Sequence, residues 1–429
     1  MSIVPTAELA VPLAPARATA TAQWLKRRML ERLTGLRQGA LTIVDGDQHH
    51  RCGVGELSAG DLRATITVHH PDFWTAVGLG GSVGAGDAYI RGLWDADNLT
   101  AVIRLLARNQ EVLAGVDGGL VGLLAGPVRR CLHWLNRNSV DGAARNIAAH
   151  YDLGNDLFRL MLDPTMMYSS AVFPTAAASL EHAQLHKLDL VCKALELRPG
   201  EHLVEIGTGW GGLALHAARH FGVRVTTTTI SRQQHDLAVE RVREAGLSER
   251  ITVVMQDYRT LGGTFDKLVS IEMVEAVGHQ FYPGYMQACG RLLKPDGLAL
   301  IQAITIADQA YARARHEVDF IKKFIFPGSC IPSLTALVDA ATSASDLRLT
   351  AYDDYTPHYA RTLAMWRDNC HANAEAITRL GYNRSFQRMW DFYLGYCEGG
   401  FAERSISVGH LLFAKPGWRQ GGHKMLGYA

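Results

Sequence analysis

No stretch of this 429-residue chain supplies the about 18 consecutive apolar residues that a membrane-spanning helix needs. The opening "MSIVPTAELAVPLAPARATATAQ" lacks the charged start and unbroken apolar core of a secretory signal, so residues 1–22 read as a flexible leader. Net charge is scarce too: at +1 there is no global attraction to nucleic acid or to an anionic membrane, and any such attraction must come from local patches. The seven cysteines are scattered, odd in number and never form C-x-x-C, which supports neither a disulfide framework nor a zinc site and suits a reducing cytoplasm. His150, His279 and His358 fall into no H-x-x-x-H or H-E-x-x-H pattern, so they read as hydrogen-bonding or packing residues and no metal is expected.

What is present divides the chain in two. Residues 23–140 read as a small accessory domain. Its "QWLKRRMLERLTGLRQ" sets Leu25, Met29, Leu33 and Leu36 at helical spacing among Lys26, Arg27, Arg28, Arg32 and Arg37, a basic amphipathic helix. Such a helix either covers its own domain or lies on a lipid surface. A second basic stretch, "RRCLHWLNRN" with Arg129, Arg130 and Arg137, favours an anionic lipid surface. Between them, "PDFWTAVGLGGSVGAGDAYIRGLWD" reads as a Gly-rich loop leading into a helix; it lacks G-K-[ST], so it is no phosphate loop. From residue 145 to 429 apolar strands alternate with helices, which predicts an α/β, doubly wound parallel sheet with its ligand at the carboxyl ends of the strands.

The glycine turn of that sheet, "LVEIGTGWGG", has the spacing G-x-G-x-x-G at Gly207, Gly209 and Gly212, with Gly211 inside it. Two features argue against a nicotinamide cofactor. Glu205 stands at the strand end, where a buried carboxylate is costly unless a cation or donors meet it. About 20 residues on, where a ribose-binding acid is expected, the sequence reads "TTTTIS". A cationic ligand without a pyrophosphate fits better, and S-adenosylmethionine carries an ammonium and a sulfonium. Glu205 would fix its methionine end through the glycine turn. Thr229 or Gln234 would bind its ribose, Asp257 of "MQDYR" its adenine amino group, and Tyr258 would cover the ring. The predicted activity is methyl transfer.

The segments "HYDLGNDLFRLMLDPTMMYSSAVF", "LVEIGTGWGGLA", "QDYR", "SIEMVEAVGH", "GLALIQAITI", "PHYARTLAMW" and "FYLGYCEGGF", in this order, resemble the cyclopropane-fatty-acyl-phospholipid synthases and related mycolic-acid and fatty-acid C-methyltransferases. The resemblance covers most of residues 60–415. It implies a Rossmann-like methyltransferase domain behind a smaller N-terminal domain, and methyl transfer to the double bond of acyl chains in a phospholipid bilayer. The expected product is a cyclopropane; a methylene or methyl branch is the alternative. With the cysteine pattern, the basic helices and the near-neutral charge, the expectation is a cytoplasmic protein held peripherally on the inner membrane face with no nucleic acid partner; the resemblance adds a homodimer as in some members.

The resemblance also implies a bound bicarbonate as base, held by a Glu, a Tyr, a His and the region of a Cys. Carried over, the Glu falls on Glu275 and the Tyr on Tyr359, while Tyr168 and Ser169 match the pair that touches the cofactor. Glu272 lies one helical turn from Glu275, and the residues alone do not choose between them. Two positions depart from the pattern: Ser170 stands for Cys, and Gln302 for His. Serine offers the same backbone amide, whereas glutamine carries no charge, which leaves ring closure open. "FIKKFIFPGSCIPSL" reads either as a core helix or as the wall of an acyl tunnel with Lys322 and Lys323 near phosphate.

Overall fold

The computed structural model describes residues 18–54, 60–111 and 153–419. The second basic stretch, the 140–145 domain boundary and His150 lie outside them.

The N-terminal part builds a four-stranded sheet, order β2-β1-β3-β4, from β1 (Ala40–Asp45), β2 (Gln48–Gly53), β3 (Arg63–Val68) and β4 (Trp94–Ala96). Alternation along β3 turns Ala64, Ile66 and Val68 inward. Helix α1 (Ala20–Leu33) is capped by Thr19, whose hydroxyl accepts from the Ala22 amide at 3.1 Å. Its Leu25 and Leu33, with Leu36 beyond its end, are buried. The apolar stripe of the basic helix therefore covers the protein's own core and is not free to enter lipid. Trp24, Arg27 and Arg28 remain exposed.

The Gly-rich segment expected as a loop is instead helix α2 (Asp72–Ile90), kinked at Gly81 (φ 55°, ψ −138°). Burial of Phe73, Trp74 and Tyr89 outweighs the roughly 0.5–1 kcal/mol that each helical glycine costs. The glycines also allow close approach: a Cβ on Gly86 would stand 2.3 Å from Phe320, and one on Gly78 would stand 2.8 Å from Leu25. Helix α3 (Leu99–Arg108) completes this part.

After α4 (Asn155–Met161) and α5 (Leu180–Ala194), the expected alternation follows: β5 (His202–Ile206), α6 (Gly212–Phe221), β6 (Arg224–Thr229), α7 (Arg232–Glu244), β7 (Ile251–Met255), β8 (Phe265–Ile271), α8 (Tyr282–Leu292) and β9 (Leu293–Ile306). Strands β5 to β9 are parallel: α6, α7 and α8 carry the chain back after β5, β6 and β8, and a loop with one short turn at Tyr258–Thr260 does so after β7. Beyond α9 (Leu334–Ala344), β10 (Arg348–Asp354), α10 (Thr356–Ala372) and α11 (Arg384–Ala402), strand β11 (Ile406–Ala414) inserts antiparallel between β9 and β10. The order β10-β11-β9-β8-β5-β6-β7 is the doubly wound, Rossmann-like sheet expected. It reverses direction between β5 and β8, the switch point where such sheets bind ligands.

One core joins the two parts. Phe392 of α11 packs its ring on Tyr89 and Trp94 at 5.5 and 6.4 Å. The Tyr89 hydroxyl donates to Asp391 at 2.7 Å, and Glu403 pairs with Arg104 and Arg108 at 2.6 and 2.7 Å.

Candidate active site

The switch point carries the glycine turn. Gly207, Gly209 and Gly211 hold φ of 98°, 50° and 82°, a region that side chains disfavour. The amides of Gly207 and Thr208 donate to the Thr228 carbonyl at 3.0 and 3.1 Å, which fixes the turn against β6. Gly207 and Gly209 lie on the wall of a cavity of about 1100 Å³. Gly211, expected at the cofactor, is not on that wall. It caps α6 in the left-handed conformation, and a Cβ there would meet Ala238 at 3.4 Å.

Glu205 is almost fully buried on the same cavity, its Oε2 accepting from the Thr227 hydroxyl at 2.6 Å. Burial pushes its carboxyl up to about 8, against the pull of Thr227 and Lys187. Such a group gains from a cation entering the cavity. Thr229 donates to Gln234 Oε1 at 3.0 Å, which leaves the amide nitrogen of Gln234 for a hydroxyl ligand.

Asp257 holds a partner the sequence did not announce. Arg259 forks onto it (Nε to Oδ1 2.8 Å, Nη2 to Oδ2 2.6 Å), and the Arg259 amide adds a third bond at 2.9 Å. These bonds hold the carboxyl below its usual range despite burial. Oδ2 keeps lone-pair capacity for an amino donor. Tyr258 follows on the cavity wall, edge-on to Tyr285 at 5.6 Å. A ligand with an ammonium, two ribose hydroxyls and an adenine amino group fits this donor and acceptor set.

Opposite lies the Tyr168-Ser169-Ser170 segment. The Tyr168 hydroxyl is 2.8 Å from that of Tyr393. Ser169 accepts on its hydroxyl from Lys187 Nζ at 2.7 Å and on its carbonyl from Gln184 Nε2 at 2.9 Å. Lys187 is wholly buried, and desolvation lowers its ammonium to about 8. Neither Gln184 nor Lys187 was foreseen. The available signal was two polar residues three apart on the otherwise apolar buried face of an amphipathic helix.

The carboxylate that gathers Ser170, Gln302 and Tyr359 is Glu272, while Glu275, the expected one, lies beside it on the same cavity wall. Glu272 Oε1 accepts from the Ser170 amide at 2.8 Å and from Gln302 Nε2 at 2.7 Å; Oε2 accepts from the Tyr359 hydroxyl at 2.6 Å. Glu272 directly follows β8, and its backbone sits at φ 48°. Gln302 on β9 accepts from His410 on β11, directly opposite in register, at 2.9 Å on Oε1. Burial lowers His410 to about 3, so it is a neutral donor that sets the amide's orientation. Glu275 lies one short turn away, its Oε1 accepting from the Ile304 amide at 2.5 Å and its buried Oε2 without a protein partner. Burial and the charge of Glu272 push Glu275 up to about 8.

From these carboxylates the cavity continues past Tyr359, Phe392, Tyr393 and Phe401 into the apolar interior of the N-terminal sheet, reaching Leu41, Ile43, Ile66 and Val102. The "FIKKF" stretch divides between core and cavity wall. Phe320 is buried against Phe392 at 4.6 Å, while Ile321 and Phe326 line the cavity. Lys322 is engaged by the Ala314 and Glu317 carbonyls at 2.6 and 2.8 Å.

Residues 138–411 match the family described as mycolic acid cyclopropane synthetase. The chain is 38% identical over 370 residues to the tuberculostearic acid methyltransferase UfaA1 of Mycobacterium tuberculosis, covering 82% of this chain and 83% of that one. It is 36% identical over 358 residues to the cyclopropane-fatty-acyl-phospholipid synthase of Escherichia coli, covering 83% and 89%. Among solved structures, the mycolic acid cyclopropane synthase CmaA1 complexed with SAH and CTAB superposes with a TM-score of 0.60 at 31% identity, over 63% of this chain and 98% of that one.

Proposed function

The chain belongs to the mycolic acid cyclopropane synthetase family, and on that premise we propose that it transfers the methyl carbon of S-adenosylmethionine to the double bond of an unsaturated acyl chain carried by a membrane phospholipid, forming a cyclopropane. The observation that carries this reading is the continuity of one cavity from the glycine turn and Glu205, past Glu272, into the apolar interior of the N-terminal sheet. A cofactor and a long apolar chain then share a single water-poor space.

When bound, the cofactor supplies an electrophilic methyl group, which a nucleophile as weak as an alkene requires. Glu205, Gln234 and Asp257 would hold it by its ammonium, ribose and adenine, and Tyr168 and Ser169 would close over it. The aromatic wall of Tyr359, Phe392, Tyr393 and Phe401 excludes water from a chain that becomes cationic. Position then matters more than base strength, since a carbocation is a strong acid.

A second reading, a methylene branch that a separate reductase saturates, is favoured by Gln302 and by the similarity to a relative named for tuberculostearic acid. Among the described residues no helix is long and apolar enough to cross a membrane. Exposed Trp24, Arg27 and Arg28 support docking on an anionic surface from one side.

Gas chromatography with mass spectrometry of fatty-acid esters, from a host without its own cyclopropane synthase, expressing this chain and fed oleate, tests both readings. A saturated-chain product one CH2 heavier with a ring supports cyclopropanation. An unsaturated product of the same mass supports the branch. Unchanged oleate would overturn both.

A further inference from the structure

A base must stand beside the methylated carbon, and the resemblance assigns that task to a bound bicarbonate. The residues here do not fit one. The three donors that would cradle its oxygens are the Ser170 amide, the Gln302 amide nitrogen and the Tyr359 hydroxyl, and all three already point at the Glu272 carboxylate, at 2.8, 2.7 and 2.6 Å. A side-chain carboxylate has the same planar, two-oxygen anionic face as bicarbonate, so one set of donors serves either but not both.

We propose that Glu272 is the catalytic base of this enzyme, a carboxylate built into the chain in the place of a captured bicarbonate. This rests on methyl transfer to an alkene as proposed above. The alkene π pair forms the new C–C bond to the methyl carbon while the S–CH3 pair stays with sulfur. The carbocation left on the chain loses a proton from the added methyl carbon to a Glu272 oxygen, and the freed C–H pair closes the ring. The proton leaves Glu272 to solvent as product departs.

Four features point the same way. Glu272 lies on the cavity wall, at the carboxyl end of β8 and next to the sheet's switch point. Its backbone occupies the left-handed region, a cost of about 1 kcal/mol or more that a residue chosen for packing alone would not keep. Gln302 holds its amide nitrogen toward Glu272 because neutral His410 donates to its oxygen, so the departure from His becomes a fitted donor for a carboxylate. Glu272 is met by three donors where Glu275 is met by the Ile304 amide and leaves Oε2 unpartnered, so Glu272 is the carboxylate whose anionic form the site is built to hold.

Glu272→Gly is the informative variant, since glycine accepts the φ of 48° without strain and vacates the space between the three donors. With oleoyl phospholipid in CO2-purged buffer, wild type turns over at a rate that added bicarbonate does not change. Glu272→Gly falls about 100-fold in the same buffer, a general base's usual worth, and recovers at least about tenfold with millimolar bicarbonate. Calorimetry shows S-adenosylmethionine binding kept in the variant. The 13C resonance of labelled bicarbonate broadens with Glu272→Gly and not with wild type, a readout independent of turnover. A saturable bicarbonate requirement in wild type, or a Glu272→Gly that is either fully active in purged buffer or not rescued, would overturn the proposal. A wild type that alkylates no acyl chain in either buffer would instead overturn the methyl-transfer reading beneath it.

Discussion

On the proposed reading, in which Glu205 meets the cofactor ammonium, this residue links cofactor binding to pH. Burial holds its carboxyl at about 8. At pH 7 only about one molecule in ten therefore carries the charge that attracts the cofactor ammonium. Binding requires the ionised form, so its carboxyl drops in the complex and a proton is released: about 0.9 per site at pH 7. The sign follows. Affinity is weakest where Glu205 is protonated, rises about tenfold from pH 6 to pH 7, and flattens as pH passes about 8. Over pH 6 to 7 the cofactor's own α-amino group stays largely charged and contributes little. Calorimetry at pH 7 in two buffers of different ionisation enthalpy reads the released proton directly. Glu205→Gln abolishes the release and the pH slope together. Buffer-independent heats with a flat affinity from pH 6 to 7 would refute a cation-binding role for Glu205, and release that persists in Glu205→Gln would move it to Glu275.

Tyr359→Phe keeps the stack on Phe401 (4.4 Å, 29°) but removes a 2.6 Å bond to the Glu272 carboxylate, so turnover falls by roughly 10–100-fold. Its cofactor affinity stays level and the acidic limb of its pH–rate profile moves up, as steady-state kinetics and calorimetry would record. Val77→Phe narrows the cavity on the α2 side. Product profiles from mixed acyl chains then shift to shorter ones, with cofactor affinity unaltered. Reversing charge at Arg27→Glu with Arg28→Glu weakens sedimentation with anionic vesicles by about 1 kcal/mol per residue and leaves neutral vesicles unaffected.

The fold was legible because its signals are local. A strand carrying Glu205 near its end, a glycine turn and a helix read the same in the sequence and in space, and strand–helix alternation continues through most of the parallel sheet. Local reading failed in the Gly-rich segment. Glycines suggest a loop by propensity, yet α2 forms there because Phe73, Trp74 and Tyr89 gain more from burial than the glycines lose. The basic helix showed its period correctly, but which surface its leucines cover was not contained in the period.

The sequence by itself determined the doubly wound sheet, the cofactor turn and the kinds of side chain present at the site. Only the tertiary structure decided which carboxylate gathers the surrounding donors. Glu272 and Glu275 are three residues apart and chemically identical, and what separates them lies far along the chain: Ser170, Gln302 with His410, and Tyr359. A carboxylate's role is set by the donors and dielectric around it, and those are supplied by residues that become neighbours only when β8, β9, β11 and α10 pack together.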